Sequence, residues 1–253
     1  MYNFFVDDNN RVGDKYFITG GDFNHIRNVL RMKVGDRFLI SDGGSGNLCE
    51  IENISGDTVT VKVIEENYKN AELPIKIYLF QGLPKSDKME LIIQKSVELG
   101  AYSIIPVEMK RCVVRLDDKK KKSKLARWQA ISESAAKQSK RSIIPEVHEV
   151  VSFREAVKLA KALDIVLVPY ENEKGMAATK KALGEIKSGS SVGIFIGSEG
   201  GFEREEIELA ESEGMKLISL GERILRTETA AITAVSMCML TAEFGMTGEW
   251  EKE

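Results

Sequence analysis

Two short apolar runs constrain the fold of this chain more than any other feature of its sequence. Residues 165–169 and 192–196 are almost continuously apolar and show no alternation between apolar and polar positions. Strands of that kind are buried on both faces, which is typical of parallel sheets covered by helices on either side. The C-terminal part of the chain therefore predicts an α/β fold with a mostly parallel sheet.

The pattern from residue 74 onward alternates between further strands and helices. Strands are predicted over residues 75–80, 103–107 and 216–220, and helices over residues 87–99, 123–139 and 227–244. In the first of these helices, residues 87–90 have the pattern of a capping box, and Gly100 marks the end. In the second, helical spacing predicts that four residues face inward: Leu125, Trp128, Ser132 and Ala135.

Residues 1–70 have a different pattern, which predicts a small β-barrel. Alternating runs at residues 37–40 and 58–64 are separated by turn clusters at residues 42–46 and 55–57. One helix is predicted over residues 23–31, because one helical face carries Phe23, Ile26, Val29 and Leu30. Residues 67–73 are polar and show no periodicity, as is typical of a linker. We therefore expect two domains, residues 1–70 and residues 74–253.

Composition narrows the classes of function. The 253 residues carry a net charge of −3 and three cysteines, which lie far apart and are odd in number. We therefore expect free thiols in a reducing compartment, the cytoplasm. Two histidines and no CxxC pair argue against a zinc site, so metal-free chemistry is expected. The N-terminus lacks a signal-peptide pattern, and residues 230–240 are too short an apolar run to span a membrane.

A basic segment interrupts this slightly acidic chain. Residues 110–141 contain twelve Lys or Arg side chains against three acidic ones. Such a cluster on one side of a protein is able to bind phosphates, but it is also typical of a solvated linker and helix face. The last part of the segment, residues 135–141, lies at the C-terminal end of a predicted helix. The helix dipole stabilises cations at that end whether or not they contact a phosphate backbone. Charge alone leaves both interpretations open.

Two loops after predicted strands are candidates for a binding site, because ligands in open α/β sheets lie beyond the carboxyl ends of strands. The first, GSEGGF at residues 197–202, matches neither GxGxxG nor a P-loop. Its glycines allow either a tight turn or the close approach of a ligand. The second, LGERILRTETA at residues 220–230, places the apolar pair Ile224-Leu225 in a loop, which suits either a pocket wall or core packing. Arg226 beside that pair must find an anion or face solvent.

These stretches resemble one known family. GSEGGF at residues 197–202, LGERILRTETA at 220–230, KSDKMELIIQKSVELG at 85–100 and AAKQSKR at 135–141 are similar to the RsmE-type small-subunit ribosomal RNA uridine N3-methyltransferases. The resemblance covers essentially the whole chain. Two departures are Ser198, where the family commonly has Pro, and Glu203, where it has Ser or Thr as a helix cap.

The resemblance implies a trefoil-knotted SPOUT domain preceded by a PUA-like β-barrel that recognises RNA. It implies methylation of uridine N3 in 16S rRNA of the small ribosomal subunit, at uracil 1498 in the family. It also implies S-adenosyl-L-methionine as cofactor and a homodimer. The knot corrects the pattern-based expectation of an unknotted doubly wound sheet. Ribose 2′-O-methylation by another SPOUT enzyme, or a non-catalytic RNA-binding role in ribosome assembly, stays an alternative.

Carried over by position, the resemblance assigns ten residues to the cofactor pocket: Pro169, Tyr170, Gly197, Gly200, Leu220, Gly221, Ile224, Leu225, Thr229 and Ala230. Arg226 is expected to bind an RNA phosphate or to stabilise a uracil oxygen as N3 becomes anionic. Glu199 is the candidate proton acceptor, although capping a helix or pairing with an Arg also fits that carboxylate. The RNA-binding candidates are Arg27, Arg31, Arg111, Arg115, Lys137, Gln138, Lys140 and Arg141.

Overall fold

The structure is a computed structural model, and it describes residues 1–43, 46–68, 71–173 and 175–247. The chain forms two compact units. Residues 1–72 together with residues 136–144 make up the first unit, and residues 73–135 together with the chain from residue 145 make up the second. The sequence pattern does not indicate that residues 136–144 join the N-terminal unit.

The first unit is built on a curled sheet. Its strands in the described residues are β1 (Asn3–Phe5), β2 (Arg11–Val12), β3 (Lys15–Ile18), β4 (Arg37–Ser41), β5 (Gly46–Ser55) and β6 (Thr58–Glu65). They lie in the order β1-β4-β5-β6-β3-β2, with β1 parallel to β4 and the other neighbours antiparallel. The core includes Phe4, Tyr16, Phe38 and Ile40, each at most 2% exposed. The predicted strands at residues 37–40 and 58–64 are confirmed as β4 and β6.

The helix of this unit departs from the predicted geometry. α1 (Gly20–Asn24) continues into a π-helical turn (His25–Val29), in which the Leu30 N–H donates to the His25 carbonyl at 2.9 Å. Ile26 is fully buried, but Val29 is 63% exposed. A π-helical turn contains more residues than an α-helical turn, so it rotates Val29 away from the buried face. The prediction that Val29 shares that face is therefore wrong.

The second unit is an α/β fold, as predicted. Its strands are β7 (Lys76–Gly82), β8 (Ala101–Glu108), β9 (Glu146–Val147), β10 (Val151–Ser152), β11 (Ile165–Pro169), β12 (Ser191–Ile196) and β13 (Lys216–Ile218). The order is β10-β8-β7-β12-β11-β13 with β9 beside β8, and every pairing among the described strands is parallel. Phe80 of β7 stacks on Phe195 of β12 in the core, with 4.4 Å between the ring centroids.

The helices of this unit begin with α2 (Lys88–Glu98), α3 (Asp118–Ser139), which runs into residues 136–139 of the first unit, and α4 (Phe153–Ala160). They continue with α5 (Ala177–Leu183), α6 (Arg204–Ser212) and α7 (Thr227–Thr247). The Asp87 side chain makes no capping hydrogen bond to α2, so the predicted capping box is wrong. α3 starts before residue 123, because the Asp117 carboxylate accepts the Lys120 N–H at 2.8 Å and the lysines that follow are good helix formers.

The resemblance implies a trefoil knot in the C-terminal part of this unit, and the knot stays a prediction. Within the described part of the chain, no helix is long and apolar enough to cross a bilayer.

Candidate active site

The carboxyl ends of β7, β11, β12 and β13 meet at one edge of the sheet, because these strands run in the same direction. The loops after β11, β12 and β13 and the first residues of α2 and α7 line a cleft of about 430 Å³. That volume lies in the range of small-molecule sites in proteins. The cleft is therefore at the place where ligands bind in open α/β sheets.

Most of the predicted cofactor residues line this cleft. They are Pro169, Tyr170, Gly197, Leu220, Gly221, Ile224, Leu225 and Ala230, and both predicted catalytic residues, Glu199 and Arg226, line it as well. Gly200 and Thr229 do not contribute to the lining. A Cβ on Gly200 would lie 2.9 Å from Cβ of Arg111, so Gly200 faces Arg111, and Thr229 is exposed on α7.

The loop after β12, residues 197–202, which we call the glycine turn, is tight, and Gly197 and Gly201 are needed for the turn itself. The Gly201 N–H donates to the Ser198 carbonyl at 2.9 Å, and Gly201 has a φ of +70°. A Cβ on Gly197 would lie 3.1 Å from the Gly201 backbone. The sequence allowed either a tight turn or the close approach of a ligand. The tight turn is enough to explain Gly197 and Gly201, and Gly197 also lines the cleft.

Gly82, at the end of β7, leaves room for this turn to pack directly against the sheet. A Cβ on Gly82 would lie 2.7 Å from the Ser198 nitrogen and 2.8 Å from Sδ of Met109. A side chain at this position would push the glycine turn away from β7, because cores tolerate such overpacking poorly. Sequence reasoning missed Gly82, since only the contact across the sheet explains it.

The loop after β13 presents apolar side chains at the rim of the cleft. Ile224 is 92% exposed, whereas Leu220 and Leu225 are half-buried. The first residue of the loop, Ser219, is held in place by two hydrogen bonds. The Thr179 hydroxyl donates to the Ser219 carbonyl at 2.8 Å and accepts the Ser219 N–H at 3.0 Å. The exposure of Ile224 rules out core packing for this side chain and favours a pocket wall.

Glu199 of the glycine turn is an ion-paired carboxylate. Its Oε1 accepts the Lys85 N–H at 3.0 Å and lies 3.0 Å from Nζ of Lys88, which also lies 3.5 Å from Glu228. Burial by itself would raise the pKa of Glu199, but the hydrogen bonds from Lys85 and Lys88 outweigh it and lower that pKa below its usual value. Glu199 therefore stays ionised at neutral pH, and its partner is a lysine, not the arginine that the sequence suggested.

Two arginines of the loop after β13, residues 219–226, which we call the apolar loop, carry positive charges at the cleft. Arg223 and Arg226 both line it and are exposed. Among the residues that the structure describes, neither guanidinium has a hydrogen-bond or ion-pair partner. The sequence left two possibilities for Arg226, a bound anion or exposure to solvent. The side chain faces solvent in this structure, so its guanidinium is free to bind an anion.

The cysteines and metal-binding side chains do not contribute a reactive centre in the described part of the chain. Cys49, Cys112 and Cys238 are buried free thiols. Burial raises the pKa of both Cys49 and Cys238 to about 12, so these thiols stay protonated and are poor nucleophiles. The described residues contain no group of three or more His, Cys, Asp or Glu side chains that could hold a metal ion.

Comparison with known proteins assigns this fold and cleft to a family. The family described as "RNA methyltransferase domain" matches residues 71–239, and "RNA methyltransferase PUA domain" matches residues 18–64. Ribosomal RNA small subunit methyltransferase E of Bacillus subtilis is 44% identical over 226 residues, which cover 87% of this chain and 88% of that protein. The chain belongs to the ribosomal RNA small subunit methyltransferase E family.

Solved structures of methyltransferases agree with this membership. Ribosomal RNA small subunit methyltransferase E from Neisseria gonorrhoeae, bound to S-adenosyl methionine, has a TM-score of 0.79 and 32% identity, covering 96% of this chain and 99% of that one. A methyltransferase from Legionella pneumophila, in complex with the cofactor SAM, has the same TM-score and identity over 94% of this chain and 97% of that one. The PUA-like N-terminal barrel is confirmed by the PUA match.

The burial of Arg141 corrects the prediction that this residue binds RNA. Arg141 is 2% exposed, and its Nε lies 3.2 Å from Oε2 of Glu72. The same carboxylate accepts the backbone N–H groups of Ser142 and Ile143 at 2.8 and 3.3 Å. Arg141 is therefore part of the internal structure of the first unit, and its guanidinium does not reach RNA.

Arg111 and Arg115 of the second unit are exposed but already paired. Nε of Arg111 donates to Glu203 at 2.9 Å, and its Nη1 donates to the Gly200 carbonyl at 3.0 Å. Glu203 is the residue before α6, the position at which the sequence predicts a helix cap. Nη1 of Arg115 donates to Glu108 at 2.9 Å. These hydrogen bonds of Arg111 stabilise the glycine turn. This role does not depend on contact with RNA.

The other RNA-binding candidates all belong to the first unit. Nζ of Lys137 lies 3.9 Å from Asp22, so residues 136–144 lie beside α1. We call the candidates on residues 136–144 and on residues 25–31, which follow α1, the basic patch: Arg27, Arg31, Lys137, Gln138 and Lys140. Arg31 and Lys140 are exposed and have φ values of +54° and +61°, an uncommon conformation for residues other than glycine. The structure brings together two segments that are more than 100 residues apart in the sequence.

Proposed function

We propose that this protein transfers a methyl group from S-adenosyl-L-methionine to N3 of a uridine in 16S rRNA, at the position that its family numbers uracil 1498. The observation that carries the proposal is the cleft beyond β11, β12 and β13, which the glycine turn and the apolar loop both line. The relatives from Neisseria gonorrhoeae and Legionella pneumophila with that cofactor bound support the choice of ligand.

The residues of the cleft fit this cofactor. Leu220, Ile224 and Leu225 offer an apolar wall for the flat adenine ring. Glu171 and Glu173 on the rim suit a ligand that carries a sulfonium and an ammonium group.

The chemistry requires alignment more than activation. When bound, the cofactor would supply a methyl group already activated on a sulfonium; the N3–C bond forms as the S–C bond breaks and the neutral thioether leaves, and the N3 proton is released to solvent water. The protein must hold N3 in line with the methyl carbon and the sulfur. Arg226 is suited to bind an RNA phosphate or to stabilise the uracil oxygen as N3 becomes anionic. Glu199, paired with Lys88, is better suited to holding the glycine turn than to accepting the proton.

We propose that the basic patch of the first unit contacts the phosphate backbone of the RNA. Four of its five side chains carry a positive charge, and Arg27, Arg31, Gln138 and Lys140 are exposed. Acidic side chains outnumber basic ones in residues 1–70, so this unit attracts RNA through the patch and not through its net charge.

The double substitution Arg31→Ala with Lys140→Ala is expected to raise the KM for RNA and to reduce the salt dependence of RNA binding by about one unit of slope for each lost phosphate contact. The affinity for S-adenosylmethionine should not change. Steady-state methylation kinetics measure the KM for RNA, filter binding at several salt concentrations measures the salt slope of RNA binding, and calorimetric titration measures the affinity for the cofactor. Arg37→Ala is the matched control, since it removes an exposed arginine of the same unit that is bonded to Glu50. An unchanged salt slope in the double variant would contradict the RNA role of the patch.

The reaction itself is tested on small ribosomal subunits from cells whose gene for this protein has been deleted. After incubation with the purified protein and S-adenosylmethionine, we expect mass spectrometry of the digested RNA to detect N3-methyluridine. Subunits from unmodified cells are the control, because their target is already methylated and should accept no further methyl group. A ribose 2′-O-methyl product would replace the base-specific assignment with the related activity, and no product would favour a non-catalytic RNA-binding role.

The proposal includes a homodimer in the cytoplasm as the working form. Each chain has a mass of 28.2 kDa, so sedimentation equilibrium of the purified protein at micromolar concentration should give about twice that value. A single-chain mass at all concentrations would remove the dimer from the proposal and leave the chemistry untouched.

A further inference from the structure

The hydroxyl of Thr227 connects three separate parts of the second unit. Thr227 is the first residue of α7 and lines the cleft. Its Oγ1 donates to the carbonyl of Gly197, in the glycine turn, at 2.7 Å. The same oxygen accepts Nε2 of Gln81, near the end of β7, at 2.9 Å. One hydroxyl therefore joins the end of β7, the turn after β12 and the start of α7.

The directions of these hydrogen bonds are determined by the groups involved. A threonine hydroxyl has a single hydrogen, and the Gly197 carbonyl can only accept it. Gln81 must then present its amide nitrogen to Thr227, and the same nitrogen donates to the Gly82 carbonyl at 2.9 Å. Turning the Gln81 amide over would place its oxygen against the Gly82 oxygen. Because Gln81 is fully buried and Thr227 is 5% exposed, a lost partner in this chain of bonds would not be replaced readily by solvent.

These bonds join two parts of the cleft wall to the sheet. Gly197 of the glycine turn and Thr227 of α7 both line the cleft, while Gln81 belongs to a buried strand that pairs with β8 and β12 on its two sides. The rigid centre of the sheet therefore sets the separation between the glycine turn and the start of α7.

We propose that Thr227, held by Gln81, is a positioning residue that fixes the glycine turn against the start of α7 and thereby sets the affinity of the cleft for the methyl donor. The inference rests on the proposed function, because it names S-adenosylmethionine as the ligand of this cleft. Thr227 acts through the Gly197 carbonyl, without contact to the reacting atoms.

The test compares Thr227→Val, which keeps the branched shape and removes the hydroxyl, with Thr227→Ser, which keeps the hydroxyl. We expect calorimetric titration with S-adenosylmethionine to give a Kd at least roughly 10-fold higher for T227V, and a Kd close to that of the unsubstituted protein for T227S. The KM for RNA should stay the same in both. Gln81→Met removes the donor to Thr227 but leaves the Thr227–Gly197 bond, so it should weaken binding less than T227V does.

Each outcome of these titrations decides the inference. If the unsubstituted protein fails to bind S-adenosylmethionine, the proposed function and this inference are both overturned. If it binds and T227V binds equally well, the inference alone is overturned. A T227S variant as weak as T227V would assign the effect to side-chain shape and also overturn it. Should T227V fail to fold, Q81M decides, because an unchanged Kd in that variant contradicts the role of the Gln81–Thr227 bond.

Discussion

Replacing Arg226 by alanine is expected to lower kcat for RNA methylation by about 10²–10³-fold, while the affinity for S-adenosylmethionine stays nearly unchanged. The guanidinium lines the cleft, is exposed, and has no partner among the described residues that its removal would disturb. Its charge is therefore available to an RNA phosphate or to the negative charge that the proposed N3 methylation would develop on uracil. Steady-state methylation of 16S rRNA at saturating substrate and cofactor measures kcat, and calorimetric titration with the cofactor measures its affinity.

Arg223→Ala is the matched control for this prediction. Arg223 belongs to the same loop, lines the same cleft and is also exposed. If the reaction needs one guanidinium at one place, R223A should retain most of its turnover. Equal losses in the two variants would mean that the loop contributes only general positive charge. A loss of cofactor affinity in R226A as large as its loss of turnover would mean that Arg226 organises the cofactor loop.

Substitution of Glu72 by glutamine is expected to reduce the free energy of unfolding of the first unit by about 3–5 kcal/mol. The Arg141 side chain is 3% exposed and that of Glu72 is 17% exposed, so the pair is largely removed from water. Glutamine would leave the Arg141 charge buried without its counter-ion. Oε1 of Glu72 accepts the N–H groups of Ser142 and Ile143 and Oε2 accepts Arg141, so the amide in either orientation would set its NH2 against one of these groups of donors. Urea unfolding followed by circular dichroism measures the change.

Glu208→Gln provides the comparison for this stability prediction. Glu208 is 57% exposed and pairs with Arg204, which is 89% exposed, so solvent screens that ion pair. E208Q should leave the unfolding midpoint almost unchanged. If E72Q were as mild as E208Q, the buried pair would not be what holds residues 136–144 in the first unit.

The sheet of the second unit was predictable because its strands carry their own signal. Residues 165–169 and 192–196 are apolar on every position, and this pattern allows only burial on both faces. Once the strands are parallel, their carboxyl ends share one edge, and the loops at residues 197–202 and 220–226 must meet there. Most of the cleft therefore follows from local pattern and from one topological rule.

The residues that the sequence did not reveal depend on contacts between distant parts of the chain. Arg141 belongs to a basic stretch, and only its bond to Glu72, 69 residues earlier, shows that it is internal. Gly82, Gln81 and Lys88 have no distinctive local pattern, because their roles arise from contacts across the sheet with the glycine turn and α7. Val29 was misplaced for a local reason, since the π-helical turn breaks the spacing on which the prediction relied.

The central claim is that the cleft formed by the loops after β11, β12 and β13 is the site of S-adenosylmethionine. A crystal structure of the protein grown with that cofactor tests it most directly. We expect the adenine against Leu220, Ile224 and Leu225, the glycine turn beside the rest of the molecule, and the methyl group directed toward the side of Arg226. Cofactor bound elsewhere, or a cleft filled by the protein's own side chains at saturating cofactor, would contradict the account.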